Sequence, residues 1–152
     1  DPREDLSGND VGRKLLILAR ELDLSNEFSD INIDNLIPES LQTVKTNFFM
    51  DNLVVLDEKF KQIKNNQKPD HVLRYVGDLH GNLQKEKGVL DVKLVSVPKT
   101  SALGQVKGSD SIIEIYTESY GENPLVIQGA GAGAAVTARG VFGDILRIAE
   151  KM

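Results

Sequence analysis

The chain opens on Asp1-Pro-Arg-Glu-Asp-Leu-Ser-Gly-Asn-Asp-Val-Gly-Arg-Lys14, an acidic stretch that runs directly into the apolar Leu15-Leu-Ile-Leu-Ala-Arg20. Ser7 is a favourable N-cap residue, and Asp10, three residues later, has the position of a capping-box partner. The stretch therefore predicts a polar loop followed by a helix that is anchored in the core, and the rest of the chain is organised around it. The predicted buried stripe of this helix is Val11, Leu15, Leu18 and Leu22.

Two acids and one amine gather at the start of this helix. Asp10 and Lys14 are four residues apart, so they project from the same face, and Asp5 lies in the preceding loop. One interpretation is helix capping with an exposed ion pair that contributes about 0.3–0.5 kcal/mol. The other is an active site in which the acids hold an amino group and the lysine transfers a proton. Spacing alone leaves both interpretations open.

Composition excludes several classes of function. A chain of 152 residues predicts one domain, and a net charge of −5 argues against nonspecific binding to nucleic acid. No apolar run reaches the roughly 18 residues that a membrane span needs. The absence of cysteine excludes disulfides and thiolate chemistry, and is typical of a cytoplasmic enzyme. His71 and His80 have no second ligand at metal spacing, so the sequence predicts no metal site.

The remaining periodicity predicts helices first and strands afterwards. Residues 39–50 and 51–65 carry apolar side chains at three- and four-residue steps, which predicts a packed helix pair. The buried face of the first is predicted to contain Leu41, Val44 and Phe48. Strands are predicted at residues 31–33, 71–77, 88–97 and 111–117, and a short apolar run predicts another at residues 124–128. The fold class is therefore α+β, with a mixed, largely antiparallel sheet covered by helices on one face.

The chain closes on a glycine-rich run, Gln128-Gly-Ala-Gly-Ala-Gly133, followed by a predicted helix at Ala134–Lys151. Glycines allow the backbone to approach a ligand closely, and the N–H groups of a following helix attract anions. Tight helix packing through small residues explains the run equally well. It is not a Rossmann fingerprint, because the exact spacing is missing and only 19 residues follow Gly133.

Two of these stretches resemble a known family. The opening run resembles the D-P-R-x-D-L-x-G-x-D-V-x-R-K signature of homoserine dehydrogenases, and the close resembles their G-x-G-A-G-x-x-x-T-A-x-G-V-x-x-D run. Val-Leu-Arg-Tyr-Val-Gly77 is similar to a third family segment. Residues 48–60 resemble the corresponding part of bifunctional aspartokinase–homoserine dehydrogenases, which implies a longer parent chain.

The resemblance implies a reaction and roles for four residues. The family reduces aspartate 4-semialdehyde reversibly to homoserine with NAD or NADP, on the route to threonine and methionine. Asp5 and Asp10 are then expected to bind the substrate amino group, and Lys14 to exchange a proton with the substrate oxygen. Gly133 is expected beside the cofactor.

The resemblance also implies how the chain is organised. Residues 1–152 are expected to form the substrate-binding, catalytic and dimerisation region, with a homodimer contact through the sheet. Residues 133–152 are expected to return as a helix to a nucleotide-binding Rossmann domain that is absent here, so the fragment alone is expected to be inactive. A noncatalytic dimerisation or regulatory module of a larger enzyme is the alternative. The cofactor preference and control by threonine stay open.

Overall fold

The computed structural model describes residues 1–152 and divides into two compact units, Asp1–Val97 and Pro98–Met152. The helices of the first unit are α1 (Arg3–Leu6), α2 (Asn9–Glu21), α3 (Glu39–Gln42), α4 (Thr46–Asp51) and α5 (Val54–Asn65). Its strands are β1 (Ile31–Ile33), β2 (His71–His80) and β3 (Val89–Pro98). The second unit contains α6 (Ala102–Gln105), β4 (Asp110–Ile115), β5 (Leu125–Ala130) and α7 (Ala134–Ala149).

The predicted α+β class is confirmed, and each predicted strand is present. The strands form two sheets, however, rather than the single sheet that was expected. In the first unit the order is β1-β3-β2, and β1 runs parallel to β3 with Ile31 opposite Leu90. In the second unit β4 and β5 pair antiparallel, with Ile113 opposite Ile127.

The first unit contains two hydrophobic clusters. Helix α2 packs against β1 and β2, and the cluster between them consists of Leu15, Ala19, Leu24, Ile31, Leu90 and Val92. The helices α3 to α5 enclose the second cluster, which consists of Ile37, Leu41, Phe49 and Leu56. Helix α2 is therefore anchored on the sheet through Leu15 and Ala19.

The predicted stripe of α2 is wrong at two of its four positions. Leu18 and Leu22 are exposed, whereas Gly12, Leu15 and Ala19 are buried. The buried face includes small residues because the helix approaches its neighbours closely, and a Cβ at Gly12 would lie 3.2 Å from the ring of Phe28. A prediction based only on large apolar residues overlooks Gly12 and Ala19, and it therefore places the buried face partly on the wrong side of the helix.

The predicted helix at residues 39–50 is also wrong in part, because it breaks at residues 43–45 into α3 and α4. Thr43 and Val44 are β-branched and disfavour a helix interior. The break shifts the helical register, so that Phe49 is buried and Phe48 is exposed. The packing predicted for the second helix, now α5 and the residue before it, is confirmed: Leu56 is buried, and Leu53 and Phe60 pack beside it.

None of the helices is both long and apolar enough to span a membrane.

Candidate active site

The start of α2 is built differently from the predicted capping box. The N-cap is Gly8, with φ of 81°, and it has no side chain with which to cap the helix. Ser7 instead ends the short helix α1, and its hydroxyl donates to the carbonyl of Glu4 at 3.0 Å. The predicted Ser7–Asp10 capping box is therefore wrong: Ser7 is the C-cap of α1, and its hydroxyl accepts from the Asn9 N–H at 3.4 Å rather than from the Asp10 N–H.

Gly8 is required at this junction for two reasons. Its φ lies in the left-handed region, which L side chains rarely adopt. In addition, a Cβ at this position would overlap the hydroxyl of Tyr75 and the side chain of Ile33. The Tyr75 hydroxyl donates to the carbonyl of Asp34 at 2.7 Å, so it is fixed in place. The glycine therefore lets the signature stretch press directly onto the sheet.

The structure brings Asp10 and Lys14 together as predicted. Lys14 Nζ lies 2.7 Å from Asp10 Oδ2, and its side chain is 73% exposed. The hydrogen bond from Lys14 is the main cause that lowers the pKa of the Asp10 carboxyl below its ordinary value. Asp10 is therefore ionised near neutral pH and holds the ammonium group of Lys14 at the helix start.

Arg13 extends this pair into a network that the sequence interpretation missed. Its guanidinium lies 2.6 Å from Glu4 Oε1 and 3.7 Å from Asp10 Oδ1. Arg13 thus links α1 to α2 and neutralises Glu4. Its place three residues after Asp10 was the available signal, since residues at i and i+3 are neighbours on a helix.

Asp5 has a different environment from the other acids nearby. Asp1 pairs with Arg3 at 2.6 Å, Glu4 pairs with Arg13, and Asp10 pairs with Lys14. The exposed Asp5 carboxylate makes no hydrogen bond or ion pair, and only its backbone carbonyl is used, accepting from the Gly8 N–H at 3.2 Å. It is therefore the one carboxylate of the signature that is free to accept a new cation.

Gly133 belongs to the second unit. It is the N-cap of the predicted helix, now seen as α7, with φ of 124° and open space where a Cβ would lie. Gly131 differs, because a Cβ there would overlap the side chain of Ser111. Gly131, which precedes α7, thus allows the backbone to lie close to β4, and Gly133 presents open backbone at a helix start; the glycines within α7, Gly140 and Gly143, pack against nothing, so the interpretation as tight helix packing has no support within this chain.

A second charged group lies on β2 and β3. Asp78, His80 and Asp91 place ligand-type atoms within 4.8 Å of one another, so the prediction that His80 has no such neighbour is wrong. The cross-strand pairing of β2 with β3 brings them together, and the linear sequence does not show this. Lys93 Nζ already lies 2.7 Å from Asp78 Oδ2 and 3.7 Å from Asp91 Oδ2, so an ammonium group compensates these acids.

The comparisons with known proteins agree with the two signature stretches. The family profile of homoserine dehydrogenase matches residues 1–146. A homoserine dehydrogenase of Paracoccidioides brasiliensis is 43% identical over all of this chain, which spans 41% of that protein. A chloroplastic bifunctional aspartokinase/homoserine dehydrogenase 1 of Zea mays is 44% identical over 99% of the chain, which spans 16% of it.

A solved structure is also similar. The crystal structure of a Candida auris protein of unknown function matches with a TM-score of 0.78 and 38% identity, over 99% of this chain and 41% of that one. The chain thus spans about two fifths of the length of the monofunctional relative and of the solved structure that it matches. With a family profile that covers almost all of its residues, the chain belongs to the homoserine dehydrogenase family.

Proposed function

We propose that this chain is the substrate-binding and catalytic part of an NAD(P)-dependent homoserine dehydrogenase, which interconverts aspartate 4-semialdehyde and homoserine in threonine and methionine biosynthesis. The observation that carries the proposal is the Asp10–Lys14 ion pair at the start of α2, preceded on the short helix α1 by the exposed Asp5 carboxylate, which has no side-chain partner. A free acid attracts the ammonium group of an amino-acid substrate. A lysine next to an ionised acid provides the proton donor that reduction of an aldehyde requires.

In the reduction, Lys14 Nζ donates a proton to the aldehyde oxygen as that oxygen becomes a hydroxyl. A bound NAD(P)H supplies the hydride to the carbonyl carbon. Asp10 keeps Lys14 in place, and Asp5 and Asp10 bind the substrate ammonium group. In the reverse direction the neutral amine of Lys14 accepts the hydroxyl proton.

The chain's own residues fit a dinucleotide at one position only. Gly133 offers open backbone at the N-terminus of α7, with open space where a Cβ would lie. Neither sheet is a doubly wound parallel sheet, the architecture that binds dinucleotides in Rossmann folds. We therefore propose that most of the NAD or NADP site lies on residues outside this chain, and that residues 1–152 alone are inactive.

The proposal also includes assembly and location. A homodimer contact through the β4–β5 sheet is supported by the exposed apolar side chains Ile113, Ile115 and Ile127. We keep the cytoplasm as the proposed location, although the related Zea mays enzyme is named chloroplastic.

A noncatalytic dimerisation or regulatory module remains the second candidate. The observation in its favour is the exposure of Lys14 and Asp5, since surface charges of this kind need no catalytic role. The two candidates make different predictions for a single acid.

The test is an assay of the full-length protein that carries this sequence, with L-homoserine and either NAD or NADP. Asp5→Asn removes the charge but keeps the shape, and losing one charge-assisted hydrogen bond of about 1.5–3 kcal/mol should raise KM for homoserine roughly 10- to 100-fold. Asp51→Asn, a similarly exposed acid at the end of α4, is the control and should leave KM unchanged. A full-length protein without homoserine turnover, or an Asp5→Asn variant with unchanged KM, would support the noncatalytic module.

A further inference from the structure

Arg3 makes more polar contacts through its side chain than any other residue of the signature stretch. The side chain is only 16% exposed, although it belongs to a four-residue helix at the chain start. Its Nε and Nη2 donate to the two oxygens of Asp1 at 3.0 and 2.6 Å. Its Nη1 donates to the carbonyls of Val44 and Gln42, the latter at 3.3 Å. All three guanidinium nitrogens of Arg3 therefore donate hydrogen bonds, to Asp1 before it in the chain and to the segment between α3 and α4.

The segment that Arg3 contacts is the break between α3 and α4. The last carbonyls of a helix have no partner within the helix, and a cation there is favourable. The guanidinium of Arg3 takes this role, and it also lies 5.2 Å from the ring centroid of the buried Phe49. The planar fork thus joins α1 to the second hydrophobic cluster at a position where a single ammonium group would not reach all of these acceptors.

Asp5 is two residues further along the same helical turn. The turn is closed by the Ser7 N–H, which donates to the Arg3 carbonyl at 2.8 Å, and by the Leu36 N–H, which donates to the Leu6 carbonyl at 3.1 Å. Asp5 itself has no side-chain partner. Its position relative to Lys14 therefore depends on how firmly the turn around it is held.

We infer that Arg3 is a positioning residue, which fixes the turn bearing Asp5 so that its carboxylate stands ready for the substrate ammonium group. The inference rests on the proposed function. Arg3 does not touch the substrate itself, and its effect is transmitted through Asp5. Binding to a held carboxylate avoids the ordering cost that a mobile one would impose.

The test compares Arg3→Lys with wild type in the full-length protein. Lysine keeps the charge beside Asp1 but loses the fork, so KM for L-homoserine should rise about tenfold, while KM for the cofactor stays the same. Arg20→Lys is the matched control, because Arg20 contacts a single acid, Glu27, at 3.0 Å on the same unit. It should leave both KM values unchanged. An Arg3→Lys enzyme with a wild-type KM for homoserine would overturn the inference.

A double-mutant cycle separates positioning from general stability. If Arg3 acts through Asp5, Arg3→Lys should have little further effect on KM in an Asp5→Asn background. An equal effect in both backgrounds overturns the inference. Should Arg3→Lys fail to fold, Thr46→Val replaces it, because the Thr46 hydroxyl accepts from Arg3 at 3.2 Å and donates to Asp1 at 2.8 Å. That variant should raise KM for homoserine about twofold, and a wild-type KM overturns the inference.

Amide hydrogen exchange distinguishes a failure of the inference about Arg3 from a failure of the proposed function. In Arg3→Lys the amides of Ser7 and Gly8 should exchange at least several-fold faster than in wild type, whatever the activity. Unchanged exchange overturns the anchoring role of Arg3. A wild-type protein that does not bind homoserine, with faster exchange in the variant, removes the proposed substrate and with it the role of Arg3 in binding that substrate.

Discussion

The two units of this chain differ in how much they bury. Every buried apolar residue of the core lies within Asp1–Val97, in the two clusters around α2 and around Phe49. In Pro98–Met152 only Gly104 is buried, and the apolar side chains of β5 and α7 are exposed. Both units nevertheless have regular strands and a helix of similar length. Regular secondary structure is therefore not evidence of a core.

The difference separates two kinds of chemistry as well. The first unit holds its charged signature on a covered sheet, where Gly8 and Arg3 fix the backbone. The second unit offers apolar faces and open glycine backbone, features suited to contact with another surface. We therefore expect substitutions in the first unit to change catalysis or stability, and substitutions in the second to change association or cofactor binding.

The largest expected effect is that of Lys14→Ala in the full-length enzyme. Removing the proposed proton donor should lower kcat about 10²- to 10⁴-fold while the dissociation constant of the cofactor stays the same. Steady-state kinetics and cofactor titration by fluorescence measure the two quantities.

Gly133→Ala should do the opposite in the second unit, weakening cofactor binding while leaving the affinity for homoserine intact. Wild-type turnover in Lys14→Ala would refute the role of that lysine. If both substitutions changed turnover and cofactor binding equally, the proposal that the first unit serves catalysis and the second serves cofactor binding would be wrong.

The next effect concerns stability. Leu90 is fully buried opposite Ile31, so Leu90→Ala should lower the free energy of unfolding by about 2–5 kcal/mol. Ile145→Ala on the exposed face of α7 should change it by less than about 1 kcal/mol. Denaturant unfolding of residues 1–152, followed by circular dichroism, gives both values. A decrease of several kcal/mol in the free energy of unfolding for Ile145→Ala would show that the apolar face of α7 is buried in solution.

The sequence predicted the elements better than it predicted their contacts. Local residue patterns located all five strands, and the i,i+4 spacing of Asp10 and Lys14 predicted their ion pair, because both depend on residues close together in the sequence. The division into two sheets and the grouping of His80 with Asp91 depend on strand pairing, which is not local. The sequence also predicted the helix that is now α7, but it does not show whether a surface covers the exposed apolar side chains of that helix.

The glycines of the two units allow a matched comparison. Gly8 and Gly108 both have positive φ, but only Gly8 has a side chain where its Cβ would be. Gly8→Ala should therefore cost about 2–3 kcal/mol of unfolding free energy, from backbone strain and from the displaced Tyr75 together. Gly108→Ala should cost about 1 kcal/mol, from the backbone alone. Equal losses in denaturant unfolding would mean that Tyr75 yields without cost.

The candidate site was predicted through its charged groups and not through the residues that support them. Asp5, Asp10 and Lys14 were proposed from the family resemblance, and of these only the Asp10–Lys14 ion pair followed from spacing and is seen in the structure. Arg3 and Gly8 were missed as structural determinants, since their partners Val44 and Tyr75 lie far along the chain. Local sequence identifies which side chains could take part in the chemistry, and long-range packing determines which of them have a fixed position.

The smallest expected effect is a pH dependence confined to the first unit. Hydrogen bonds from Asn32 and then His80 lower the pKa of Asp91 below its ordinary value of 3.8. A carboxyl whose pKa is lower in the folded state contributes stability above the unfolded value, and this contribution disappears as the pH falls through the folded value. The free energy of unfolding should therefore decline with a shallower slope in Asp91→Asn than in wild type below about pH 4. Denaturant titrations at a series of pH values measure the slopes, with Asp144→Asn on α7 as the exposed control. Parallel slopes in Asp91→Asn and wild type would mean that the Asn32 and His80 contacts do not lower the pKa of Asp91 in solution. The charged side chains on the β1–β3–β2 sheet would then contribute as little to stability as the exposed charges of the second unit.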